Sequence, residues 1–244
     1  MKNYIIILAA GIGSRLADKQ PKQFLPIAGQ PVLMHTINAF YNSGICSEII
    51  LVLHQDYTHH WQALCNEHTF EVPHKIAIGG AERFYSIRNA LSTLTGEGFV
   101  GVHDGVRPFV SKRIIREAFA LAKKSGNAVP AVPATNTIRF CSDQKNNLAL
   151  DRKHVYVVQN PQVFELGQLK EAYTQEYNPL FTDDATVVEN YGFEINLIEG
   201  DQRNIKITHP WDIAIAEGIY HYNLKNEKNI LCDSEILNAK HLLE

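Results

Sequence analysis

The segment Tyr4-Ile5-Ile6-Ile7-Leu8-Ala9-Ala10-Gly11-Ile12-Gly13-Ser14-Arg15-Leu16 decides the fold. An unbroken apolar run from Tyr4 to Leu8 predicts a strand covered on both faces, as in a largely parallel sheet. The small residues after it let backbone N–H groups approach phosphate oxygens with no Cβ in the way. Arg15 closes the loop, and Lys22 follows in Pro21-Lys22-Gln23-Phe24. Two fixed cations so close to a glycine loop point to a polyphosphate ligand. A dinucleotide fingerprint would need glycine where the chain has Leu16, and a P-loop would need a Gly-Lys-Ser or Gly-Lys-Thr that the chain lacks.

Working outward, short apolar runs alternate with amphipathic stretches, the pattern of βα units around one sheet. Strands are expected at Tyr4–Leu8, Ile49–Leu53, Lys75–Ile78, Phe99–His103, Ala128–Pro133, Val155–Val158, Phe193–Ile198 and Asn204–Ile207. Pro31 precedes a helical face of Val32, Leu33, Ile37 and Phe40. Ser111 is placed to cap a helix burying Ile114, Ile115, Ala118, Phe119 and Ala122. Pro210 opens another, with Trp211, Ile215, Ala216 and Ile219 expected inward. Thr137–Phe140 and Leu148–Arg152 break the alternation and read as a β-hairpin arm, about residues 136–154, that packs either on its own chain or on a second subunit. The stretch from Leu224 to Glu244 reads as a last helix or a loosely held end. No repeat or linker divides residues 1–244, so a single domain is expected.

The 244 residues carry 23 basic and 26 acidic side chains, a formal charge of −3. A general binder of nucleic acid or anionic membrane would be basic, so an anionic ligand must be held by a local cluster. No apolar run approaches the roughly 20 residues of a membrane helix. Cys46, Cys65, Cys141 and Cys232 form no CxxC pair, which argues against zinc or thioredoxin-like chemistry and fits a reduced, cytoplasmic chain. Met1–Asn3 before Tyr4–Ala10 faintly mimics a secretory signal, but a glycine-rich, charged segment follows at once.

Further candidates sit at strand ends. Asp104, in His103-Asp104-Gly105-Val106-Arg107-Pro108, lies where open α/β sheets bind ligands, and beside a polyphosphate it would hold Mg²⁺. Gly79-Gly80-Ala81 offers a second close backbone approach. Thr137, Arg139, Arg152 and Lys153 on the hairpin are solvated charges or reach an anionic second substrate. Thr182, before Asp183 and Asp184, reads as a helix cap. Lys206 either snorkels at an edge or points at phosphate. The histidines form no metal-binding pattern.

Together these residues resemble the 2-C-methyl-D-erythritol 4-phosphate cytidylyltransferases. The resemblance runs from Ile5 to about Glu217 on LAAGIGSRL (Leu8–Leu16), PKQFLPIAGQPVLMHT (Pro21–Thr36), GGAERFYSI (Gly79–Ile87), HDGVRPFV (His103–Val110), VPATNTI (Val132–Ile138), QNPQVF (Gln159–Phe164), FTDDATVVE (Phe181–Glu189) and NIKITHPWD (Asn204–Asp212), in the family's order. It implies a Rossmann-like α/β nucleotidyltransferase that transfers CMP from CTP to the polyol phosphate with Mg²⁺, and a homodimer interlocked through the β-arm. It implies that Ala9, Ala10, Gly11, Gly13 and Arg15 form the CTP loop with Lys22 on the phosphates, and that Gly80, Ala81 and Ser86 surround cytosine and ribose. Asp104 then falls near metal and ribose with Arg107 beside it, and Thr137, Arg152 and Thr182 near the polyol phosphate, with Lys206 catalytic. The chain departs from the family in HDGVRP, where many members have HDAARP, and in QNPQ, where TPQ is common. Ribitol-5-phosphate cytidylyltransferases share the loop, PKQFLP and the HD-x-x-RPF pattern, and are the alternative. Thr182-Asp183-Asp184-Ala185 favours the methylerythritol enzyme.

Overall fold

The computed structural model of the chain describes residues 1–11, 21–142 and 146–241, with side chains as far as residue 226. Among the described residues, twelve strands and seven α-helices follow in chain order. They are β1 (Lys2–Ala9), β2 (Pro26–Ile27), β3 (Gln30–Pro31), α1 (Val32–Ser43), β4 (Glu48–Leu53), α2 (Thr58–Glu67), β5 (Lys75–Ile78), α3 (Arg83–Ser92), β6 (Gly98–Asp104) and α4 (Lys112–Ser125). The second half holds β7 (Asn127–Pro133), β8 (Ile138–Cys141), β9 (Asn147–Leu150), β10 (Tyr156–Val158), β11 (Gln162–Glu165), α5 (Leu166–Ala172), α6 (Asp184–Asn190), β12 (Leu197–Glu199) and α7 (Asp212–His241).

β1 is the sheet's central parallel strand, and its alternation shows why. Ile5, Ile7 and Ala9 enter one buried cluster with Leu33, Phe40, Leu51, Trp61 and Phe119. Tyr4 and Ile6 enter another with Ile50, Phe84, Val102 and Phe164 on the other face. A strand buried on both sides has to be apolar at every position, which is the run that began the sequence reading. β4 pairs with β1 in parallel on one side and β5 with β4 beyond it, while β6 pairs with β1 in parallel on the other side. The order of connection therefore reverses between β1 and β6. Open α/β sheets bind ligands outside the carboxyl ends of their strands at such a reversal.

The rest of the sheet is mixed. β11 lies antiparallel between β6 and β7, and β7 also pairs antiparallel with β10 and in parallel with β12. β8 and β9 form a two-stranded sheet of their own, closed by Ser142 N donating to the Asn146 carbonyl at 3.1 Å. Phe140, Leu148 and Leu150 on it are exposed.

Four expectations need correction. Asn204–Ile207 is not a strand: it is an extended segment tied to the turn after β6 by Ile207 N donating to Val106 O at 2.9 Å. The strand expected at Phe193–Ile198 is the shorter Leu197–Glu199. In α7, Ala216 turns inward with Ile213 and Tyr220 beside it, against Ile27, Val32, Val106 and Ile207, while Trp211 and Ile215 face solvent. Thr182 does not cap α6; Asp183 does, its carboxylate accepting from Thr186 N at 2.8 Å. The cap at Ser111 is as expected, accepting from Ile114 N at 3.3 Å. Among the described residues no helix is long and apolar enough to cross a membrane.

Candidate active site

A cleft of about 290 Å³ opens at the reversal point between β1 and β6. Its floor is the end of β1, Leu8 to Gly11, and register places Leu8 beside Asp104 at the end of β6. Lys22 and Gln23 enter from the short helical turn Lys22–Phe24, Gly80 to Arg83 and Ser86 from the start of α3, and Lys206 from the Asn204–Ile207 segment. Residues distant in sequence, expected to act on one ligand, thus share one cavity: Ala9, Ala10, Gly11, Lys22, Gly80, Ala81, Ser86, Asp104 and Lys206. Gly13 and Arg15 lie outside the described residues.

Charge is organised around Asp104. Lys206 Nζ stands 3.0 Å and Arg107 Nε 3.3 Å from its Oδ2, and Arg107 also donates to the Asn204 carbonyl at 2.9 Å. Burial alone would raise the Asp104 carboxyl; Lys206, Arg83 and Arg107 outweigh it and hold the group well below the ordinary carboxylate range. Asp104 is therefore a fixed anion, and Lys206 is aimed into the cleft rather than snorkelling at an edge. Arg107 does not line the cavity and acts on it through Asp104.

Backbone close approach explains the glycines. A Cβ on Gly80 would stand 2.5 Å from the Tyr85 Cβ, and one on Gly79 would stand 2.5 Å from the Ala10 Cβ. Ser86 Oγ accepts from Gly80 N at 3.0 Å and so shapes that turn. Gln23, fully buried, donates to the carbonyls of Ala9 at 2.8 Å and Gly11 at 3.1 Å, clamping the start of the loop.

Sequence reading missed Gln23 and Arg83. Gln23 stood between two recognised residues, and its buried amide needed partners. Arg83, at the first turn of α3, donates from Nη1 to Asp184 Oδ1 at 3.0 Å, and Tyr173 Oη donates to the same oxygen at 2.6 Å. Burial works against the Arg83 charge, but Asp184 outweighs it and raises its pKa. No local signal could announce that pair, because 101 positions separate its members. Thr137, Arg152 and Thr182 do not line the cleft; each is exposed, and Arg152 donates to the Thr135 carbonyl at 2.8 Å.

The chain is similar to known proteins over most of its length. A family model described as 2-C-methyl-D-erythritol 4-phosphate cytidylyltransferase matches residues 4–221. The protein of that name from Bacteroides thetaiotaomicron is 46% identical over 219 residues, covering 90% of this chain and 100% of the relative. Its counterpart from Geobacillus kaustophilus is 37% identical over 216 residues, covering 88% and 95%. The crystal structure of 4-diphosphocytidyl-2C-methyl-D-erythritol synthase from Anaerococcus prevotii superposes with a TM-score of 0.77 at 25% identity, covering 90% of this chain and 96% of that one. The 2-C-methyl-D-erythritol 4-phosphate cytidylyltransferase of Thermus thermophilus gives 0.70 at 29% identity, covering 90% and 98%. With the match spanning the β1 loop, Asp104 and Lys206 alike, the chain belongs to the 2-C-methyl-D-erythritol 4-phosphate cytidylyltransferase family.

Proposed function

We propose that the chain transfers CMP from CTP to 2-C-methyl-D-erythritol 4-phosphate, forming 4-diphosphocytidyl-2-C-methyl-D-erythritol and pyrophosphate. The observation that carries this reading is the convergence of the β1 loop, Lys22, Gly80–Ala81 and the Asp104–Lys206 pair on one cleft. A phosphate oxygen of the polyol substrate forms a bond to the α-phosphorus of CTP while the bond to the pyrophosphate oxygen breaks. No covalent enzyme intermediate is required, so the protein contributes position and charge. Lys206 lies on the α-phosphate, held by Asp104 before the nucleotide arrives. Lys22 lies on the leaving phosphates with the N–H groups of Ala9 to Gly11 facing them, and the family resemblance assigns Gly13 and Arg15, outside the described residues, to the same phosphates. Gly80, Ala81 and Ser86 face the nucleoside.

Mg²⁺ fits the donor set. Asp104 is an ionised hard oxygen donor whose ion pairs with Lys206 and Arg107 both fall on Oδ2. Among the described residues no group of three His, Cys, Asp or Glu side chains could cage a metal, which suits an ion bound through one carboxylate plus phosphates and water. When bound, it would neutralise phosphate charge.

Thr137 and Arg152 serve the polyol phosphate in the cleft of a second copy, which makes the working unit a homodimer joined through residues 136–154, with Thr182 contributing from its own chain. Their exposure beside the apolar side chains of Phe140, Leu148 and Leu150 supports this reading. The test incubates the protein with CTP, Mg²⁺ and either methylerythritol phosphate or ribitol phosphate, and measures pyrophosphate. Release with the first and little with the second is expected. No release, or preference for ribitol phosphate, overturns the proposal.

A further inference from the structure

The turn Asp104–Arg107 carries the cleft's Asp104 and, behind it, Arg107, and four hydrogen bonds hold it in place. Arg107 N donates to the Asp104 carbonyl at 3.1 Å, closing the turn. Gly105 N donates to the Leu8 carbonyl at 2.7 Å, extending the β1–β6 ladder by one bond. His103, fully buried, donates from Nε2 to the Arg107 carbonyl at 3.0 Å. The fourth tether comes from α1: Thr36, 0% exposed, donates from Oγ1 to the Gly105 carbonyl at 2.9 Å.

Thr36 is the unexpected member. A threonine inside a helix ordinarily returns its hydroxyl to the carbonyl four residues back. Here that contact, to Val32 O, is 3.3 Å, and the shorter one leaves the helix for Gly105. A valine would fill the same space without placing a hydroxyl in the core. A Cβ on Gly105 would meet Leu8 O at 2.8 Å, with the Ala9 Cβ and Leu33 Cδ1 each at 3.1 Å, so the turn lies close against β1 and α1. Thr36 supplies the side-chain bond that fixes it there.

We propose that Thr36 is a positioning residue for the nucleotide side of the cleft, fixing through the Gly105 carbonyl where Asp104 and Arg107 stand. The inference rests on the functional reading above. It touches neither substrate directly, and it confines the effect to CTP, since none of the four tethers reaches Thr137, Arg152 or Thr182.

The experiment compares Thr36→Val, Thr36→Ser and Thr36→Ala with wild type, reading CTP affinity by titration, steady-state kinetics for both substrates and the thermal midpoint. Thr36→Val deletes the donor and is expected to weaken CTP binding about 5-fold and lower kcat about 10-fold, with the polyol phosphate KM within about 2-fold. Thr36→Ser keeps the donor and is expected to stay near wild type in all three. Thr36→Ala deletes the donor with a smaller side chain and should reproduce the Thr36→Val pattern in CTP affinity and kcat. It also serves if Thr36→Val fails to fold. A merely structural threonine would lower the midpoint and leave CTP affinity unchanged, and that result overturns the proposal. So does equal impairment of the Ser and Val variants. Because CTP affinity is read without turnover, a wild type that binds CTP but releases no pyrophosphate sinks the functional reading while the positioning inference is still decided.

Discussion

The cleft and the β8–β9 hairpin both present cationic side chains, and they hold them in opposite ways. In the cleft Asp104, 14% exposed, pairs with Arg107 behind it, 13% exposed, and Asp184 is fully buried under Arg83. On the hairpin Arg152 is exposed and bonds one carbonyl, while Arg139 bonds Asn147 on the facing strand. Desolvated pairs fix geometry strongly, whereas pairs in water contribute about 1 kcal/mol or less. The cleft is organised before any ligand arrives. The hairpin's charges stand in solvent.

The largest effect expected from this contrast is on turnover. Lys206→Ala removes a preorganised cation and should lower kcat by about 10²–10³. Asp104 keeps its Arg107 pair, so the fold should survive, with unchanged circular dichroism. Pyrophosphate release near wild type from that variant would break the assignment of Lys206 to the α-phosphate. Next in size is Asp184→Asn. It strips a fully buried partner from Arg83 and Tyr173 and should cost about 3–5 kcal/mol in urea unfolding. Replacing both members, Arg83→Met with Asp184→Leu, should recover much of that loss. Failure to recover would mean the pair contributes more than mutual neutralisation.

How legible this was in the sequence follows from the same distinction. β1 was plain because burial on both faces leaves one kind of pattern, and the ligand-facing turns were plain because they follow strands. Asp104 could be placed by that logic alone. The Asn204–Ile207 segment alternates apolar and polar residues as a half-buried strand does, yet its backbone builds no ladder: Ile205 N turns to Arg203 O, and Ile207 N reaches Val106 O. β11 escaped notice because four residues, inserted antiparallel between parallel strands, carry no turn signal of their own. Trp211 and Ile215 read as core because they are large and apolar, but the inner face of α7 is the one holding Ala216. Thr182 and Asp183 are equally good caps by residue type, and the backbone places Asp183 at the helix start. At Gly105, where the chain departs from the family, a Cβ would stand 2.8 Å from the Leu8 carbonyl, a contact that no sequence pattern announces.

On the hairpin, Phe140→Asp combined with Leu148→Asp should leave urea stability within about 1 kcal/mol, because both side chains are already more than half exposed. Under the homodimer reading the same variant should sediment as a monomer and lose turnover together with its partner. A dimer that persists, or a monomer with full activity, separates the arm from catalysis. Mixing Arg152→Ala chains with Lys206→Ala chains sharpens the point: if each arm serves the other cleft, heterodimers regain one intact site that neither parent has.

The smallest effect tests whether proximity to the cleft, rather than burial, sets the strength of a charge. Asp201 and Arg203 lie just before Asn204, and the pair is bidentate, with Nη2 2.7 Å from Oδ2 and Nε 3.1 Å from Oδ1. Arg203 is half exposed, while Asp201 is 15% exposed. Hydrogen bonds from Arg203 lower the Asp201 carboxyl below its ordinary 3.8. A carboxyl depressed in the folded state adds stability that is fully present above the unfolded value and vanishes as pH falls through the folded one. Asp201→Asn should therefore cost about 1 kcal/mol at neutral pH, and the gap from wild type should close as acid titrates the folded carboxyl. Urea midpoints at neutral and acid pH measure both. A gap that stays open in acid would mean that Asp201 acts through packing and its bond to Arg203 N, and the half-exposed pair would then belong with the hairpin's charges rather than with the cleft's.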